Sequence, residues 1–167
     1  MSHSPSQSAK SMKWLLALLL AGIVCAGCRS GPPENTVEEV RHYTGLRLPP
    51  EASGIHLHHC AAMTFIALVK FEIPESRLAE VLGSTDSVAA LPGVADLSDK
   101  PEIADEMVLY GRDIPWWTPA EARPARAAQR NGAATSAEGY SFPWFTMVSV
   151  VELGAGQVRV YVLLAED

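Results

Sequence analysis

The chain has 167 residues, 48% of them hydrophobic, a length and composition that suit one domain with a real buried core. Its formal net charge of −6 at pH 7 argues against nucleic acid as a partner and against general electrostatic attraction to anionic lipid.

The first element in chain order is an address. Lys13 leads into an uncharged apolar run from Trp14 to Cys28 that stops at Ala26-Gly27-Cys28. The run is short for a bilayer span, which needs about 20 residues, and it suits the apolar core of a signal peptide with small residues before the cut. Its ending resembles the lipobox of bacterial lipoproteins, with Cys25 where that motif usually has an aliphatic residue. The resemblance implies cleavage after residue 27, lipidation of Cys28 and a protein tethered to a membrane of the cell envelope. With Arg29 rather than Asp after the cysteine, it implies the outer membrane where the organism has one. The compact, charged start Met12-Lys13-Trp14 is the expected beginning of translation. Loss of Lys10 and Lys13 with the leader makes the mature chain more acidic still.

Residues 28–34, with Gly31-Pro32-Pro33, have the composition of a short tether, and residues 35–167 are expected to form a single α+β domain. Asn35 or Thr36 caps a helix running to Thr44, with Glu38 and Glu39 in its first turn and Gly45 at its end. Residues 46–50 must be extended before their prolines. Gly54 to His59 and Met63 to Ile73 read as a hairpin. Ile66 and Leu68 make the even face of the second strand apolar in its middle, so that strand should be central and covered on both sides. Pro74 ends it, and Glu75 to Gly83 reads as a helix with Leu78, Val81 and Leu82 inward.

Residues 84–143 are rich in proline and small residues, which predicts mostly loop and short helical turns. Within them, Ala120 to Arg130 reads as a helix interrupted at Pro124, and Asn131 to Gly139 as a surface loop. A second hairpin follows: Trp144 to Leu153, a turn at residues 154–157, and Val158 to Ala165 with Arg159 facing outward. The expected architecture is an antiparallel sheet of about four strands from two hairpins, with helices on one face.

Two clusters are candidates for chemistry. On a strand, His56, His58 and Cys60 project to one side about 6.5–7 Å apart, a spacing that lets imidazole and thiolate share a transition metal, although the same pattern describes a solvated face. With Cys25 removed and Cys28 lipidated, Cys60 has no partner for an intramolecular disulfide. Trp116 and Trp117 are adjacent in a proline-flanked segment. Together with Trp144 they read as a contact surface for a partner, a glycan or the membrane interface, or as a satellite core. The acidic run Asp96, Asp99, Glu102, Asp105 and Glu106 lacks the EF-hand pattern, and Arg112, Arg123, Arg126 and Arg130 form its basic counterpart. No nucleophile elbow, phosphate-binding glycine loop, CxxC pair or HExxH helix is present. The expectation is a non-enzymatic binding or structural accessory module with no cofactor, anchored to the membrane and meeting another envelope protein. The alternative is a metal-binding lipoprotein using His56, His58 and Cys60.

Overall fold

A computed structural model of the chain describes residues 35–60, 65–83, 91–121, 126–135 and 141–166. The leader, Cys28, the tether, Met63, Arg123 and Pro124 lie outside the described residues. In chain order the elements are α1 (Val37–Thr44), β1 (Ser53–Cys60), β2 (Ile66–Pro74), α2 (Leu78–Gly83), β3 (Ser98–Asp99), α3 (Pro101–Tyr110), β4 (Arg126–Thr135), β5 (Ser141–Gly154) and β6 (Gln157–Glu166). The strands form one six-stranded antiparallel sheet in the order β1-β2-β6-β5-β4-β3.

The α+β class matches the sequence reading, and two of its details are corrected. The sheet has six strands rather than about four, because β4 and the two-residue β3 arise from the segment read as helix and loop. Helices also pack on both faces rather than one. Ala67, Val69, Phe71 and Ile73 of β2 and Val158, Val160, Val162 and Leu164 of β6 meet Val40 of α1 and Leu78, Val81 and Leu82 of α2. On the opposite face, Leu68, Met147, Tyr161 and Leu163 meet Ile103 and Met107 of α3 and Trp117. The apolar middle of β2 on both faces required this second layer, and the proline-rich region supplies it.

Local signals explain the caps. Thr36 Oγ1 accepts the Glu39 N–H at 3.1 Å, and Gly45, at φ 72°, closes α1 by donating its N–H to the Arg41 carbonyl at 2.8 Å. The β5–β6 turn holds Gly154, Ala155 and Gly156 all at positive φ. β1 carries a bulge between Ser53 and His56, and the Asn35 side chain accepts the Leu57 N–H at 2.9 Å on this edge strand. β3 pairs only with Arg126 and Ala127 at the opposite margin of the sheet.

Candidate functional site

Antiparallel register converts the strand sequences into rows that cross the sheet on the α3 side. One row reads His56, Lys70, Tyr161, Ser149 and Ala127 from β1 to β4, and the next along the strands carries Glu72, Arg159 and Val151. Toward the other end, a row runs Cys60, Ile66, Ala165, Phe145 and Asn131. The chemistry-bearing side chains of this face therefore fall into three places: the β1 margin, the β2–β6 middle and the β4 margin.

At the β1 margin, His56, His58 and Cys60 do share one side, as strand periodicity required. His56 is engaged by an aromatic ring, stacking on Trp116 with centroids 5.2 Å apart and planes 24° apart. Burial, then the neighbouring Lys70, lowers the His56 pKa, and burial, then His59, lowers that of His58. Among the described residues, no group of three His, Cys, Asp or Glu side chains converges as a metal centre would.

The middle holds a closed polar clasp. Arg159 donates from Nε and Nη2 to Glu72 Oε1 at 2.9 and 2.7 Å and from Nη1 to Glu121 Oε1. Tyr161 donates to the same Glu121 oxygen at 2.9 Å, and Thr118 donates to its partner oxygen Oε2 at 2.9 Å. Burial alone would raise the Glu121 pKa, but the hydrogen bonds from Arg159, Tyr161 and Thr118 outweigh it and hold the carboxyl below its ordinary range. The clasp fixes residues 111–121, a chain of short turns, onto the sheet. Ser149 is fully buried and its hydroxyl donates to the Pro119 carbonyl at 2.8 Å, so it too serves that attachment. Arg159, read as facing outward, is instead the centre of this clasp.

Tyr161 gives the clasp a spectroscopic handle. Its pKa is pushed up to about 12 by burial first and by the adjacent Glu121 carboxylate. A raised pKa stabilises the fold while the unfolded phenol would still be protonated, below about pH 10, and that contribution is lost as pH climbs through about 12. Subtracting the alkaline phenolate titration of Tyr161→Phe from that of the wild type should leave one phenol ionising near the upper value. A difference curve centred near 10 would show that the phenol is not sheltered.

The tryptophans separate. Trp117, 3% exposed, donates its indole N–H to the Met107 carbonyl at 2.7 Å and meets the Tyr161 ring edge-on at 5.5 Å. Trp116 is half-buried between His56 and Trp117. Trp144 packs on the opposite face beside Phe65. The three do not form one surface.

At the β4 margin lies the feature that sequence reasoning missed. A groove of about 380 Å³ runs between α3 and strands β4 and β5, and a second hollow of about 410 Å³ adjoins it, the two sharing Gln129 and Asn131. Glu102, Glu106 and Tyr110 follow one another at helical i,i+4 spacing on the α3 wall. Gln129, Asn131 and Phe145 come from the strands. Gln129 Nε2 donates to Asn131 Oδ1 at 3.3 Å, and the Tyr110 and Phe145 rings lie 5.7 Å apart, tilted by 57°. The acidic run was visible in the sequence, but its apposition to amides and aromatic rings depends on β4.

The chain matches no family model, no curated protein and no solved structure at a significant level. The clasp groups are bonded to one another, whereas the groove and its adjoining hollow bring carboxylates, amides and rings together beside α3. Among the described residues, no helix is long and apolar enough to cross a membrane.

Proposed function

We propose that this chain is a lipid-anchored protein of the bacterial cell envelope whose α+β domain is a non-enzymatic binding module. The observation that carries the reading is the basic-then-apolar run ending Ala26-Gly27-Cys28, which has the length and small-residue ending of a lipoprotein leader. Two or more acyl chains on Cys28 would hold the domain stably, since each buried methylene contributes about 0.8 kcal/mol. The Gly-Pro-Pro tether would keep the domain clear of the membrane surface, consistent with its acidic charge. A binding role is favoured over catalysis because the most strongly coupled polar groups, Arg159, Glu72, Glu121 and Tyr161, are spent on one another. The groove beside α3 offers hydrogen-bonding groups and rings to a ligand instead. Arg29 after the lipidated cysteine favours an outer-membrane destination, with the lipid and an envelope component as partners.

Intact-mass measurement of membrane-extracted protein tests the anchor. The expected species begins at Cys28 and carries a lipid-sized addition, and Cys28→Ser abolishes both the cleavage and the addition. An unmodified chain that keeps residues 12–27 would overturn the reading.

A further inference from the structure

Resting on the reading of the domain as a non-catalytic binding module, we infer that the groove between α3 and β4–β5 binds a hydroxyl-rich oligosaccharide segment of a glycan. The lining defines the ligand by what it rewards and what it rejects. Glu106 in the groove and Glu102 in the adjoining hollow stand four residues apart on α3, a rise of about 6 Å along the helix axis, and each brings a carboxylate acceptor to that wall. The strand wall presents Gln129 and Asn131, whose planar amides each offer an acceptor and two donors. Such groups suit adjacent hydroxyls, which donate and accept at once. The Tyr110 and Phe145 rings give an apolar surface for the C–H face of a sugar ring, and Tyr110 is 37% exposed.

Other ligand classes fit worse. An anionic phosphate or nucleic acid would meet two carboxylates on the α3 wall, a repulsion that the single Lys100 at the end of the second hollow does not offset. A purely apolar ligand would strip water from four polar side chains without replacing their hydrogen bonds. An extended peptide seeks the backbone groups of a strand edge, whereas this groove lies over side chains on the face of the sheet. Cleavage of the glycan is not supported either. Hydrolysis needs carboxylates on both sides of the scissile bond, and here both stand on the same helix wall, opposite amides.

The test uses the full chain extracted in a zwitterionic detergent that has no sugar headgroup. Chitotetraose, cellotetraose and maltotetraose are titrated into it by calorimetry, alongside an unstructured tetradecapeptide series. The expected result is saturable binding of at least one oligosaccharide, weakened roughly tenfold or more by Tyr110→Ala and by Glu106→Gln. Both variants should keep the wild-type melting transition. His58→Ala lies at the far margin of the same face, about 19 Å away across four strand spacings, and should leave the affinity unchanged. Absence of binding to every oligosaccharide at millimolar concentration overturns the inference, as does binding that survives both groove variants. Binding of peptides alone overturns the glycan assignment while leaving a binding module standing, and none of these outcomes alters the lipid mass expected on Cys28.

Discussion

Gly111→Ala should destabilise the domain by about 3 kcal/mol, a large effect for a single methyl group. The cause is space rather than backbone conformation. Gly111 has φ −125° and ψ 31°, which an alanine adopts without penalty, unlike Gly45 at φ 72°. A Cβ at Gly111, however, would lie 2.3 Å from Trp117 Cδ1, 2.6 Å from its Cγ and 3.0 Å from Leu68 Cδ1. The indole has nowhere to retreat. Its N–H is bonded to the Met107 carbonyl, its ring packs in T-shaped contacts with both Tyr161 and Trp116, and Leu68 belongs to the central strand. Relief therefore requires residues 111–117 to lift away from the sheet, which uncovers the second core. Urea denaturation with tryptophan fluorescence measures the loss, and an unchanged midpoint would mean that the ring has room the packing denies it. Trp117→Phe removes part of the obstruction, so its combination with Gly111→Ala should cost less than the two single changes added together.

Arg159→Ala should cost about 2 kcal/mol at neutral pH, after allowing for the 25% exposure of the side chain and the screening it brings. The substitution removes three charge-assisted hydrogen bonds and leaves Glu72 and Glu121 without the cation that lay between them. The pH dependence separates this mechanism from simple loss of packing. In the wild type the Glu121 carboxyl is held below its ordinary range, so its contribution is fully present above the unfolded carboxylate pKa and is lost as pH falls through the folded one. In the variant, Glu121 keeps its bonds from Tyr161 and Thr118 but loses the bond from Arg159 that favours its ionised form, so less of that contribution remains to be lost. The stability gap between the proteins should accordingly narrow from pH 7 toward pH 4, and a gap independent of pH would assign the loss to the missing aliphatic stem.

Much of the fold could be read because its signals are local. Thr36 and Gly45 announce α1, Pro74 the end of β2, Gly154 to Gln157 the last turn, and the apolar middle of both faces of β2 its central position. β4 could not be read this way. Arg126 to Thr135 holds four alanines, a glycine and no valine or isoleucine, so neither propensity nor alternation marks a strand. It is a strand because ten residue pairs with β5 make it one. The helix expected over residues 120–130, interrupted at Pro124, rests on local propensity, a weak prior that tertiary pairing overrides. α3 was obscured differently: its inner stripe is only Ile103, Ala104 and Met107, interleaved with Glu102, Asp105 and Glu106. Because the groove is made by α3 facing β4, it was hidden twice. The His56, His58 and Cys60 alignment was legible because period two on a strand fixes it, but the covering of His56 by Trp116 depends on a contact sixty residues away in sequence.

The same poverty of β4 in β-branched residues bears on a different hazard. β3 covers only Arg126 and Ala127, so among the described residues the remainder of β4 has no strand on its outer side. A margin of that kind is a template for adding foreign chains, and the usual safeguards are proline, lysine or brevity. Here the safeguard is compositional. A segment of alanine, glycine, glutamine and asparagine, with Arg130 tied to Asp96 at 2.8 Å, offers an approaching strand little side-chain surface to grip. Outside the fold, the same segment has little tendency to extend on its own. Its strand character is conditional on β5, and a chain waiting to fold carries one fewer adhesive stretch.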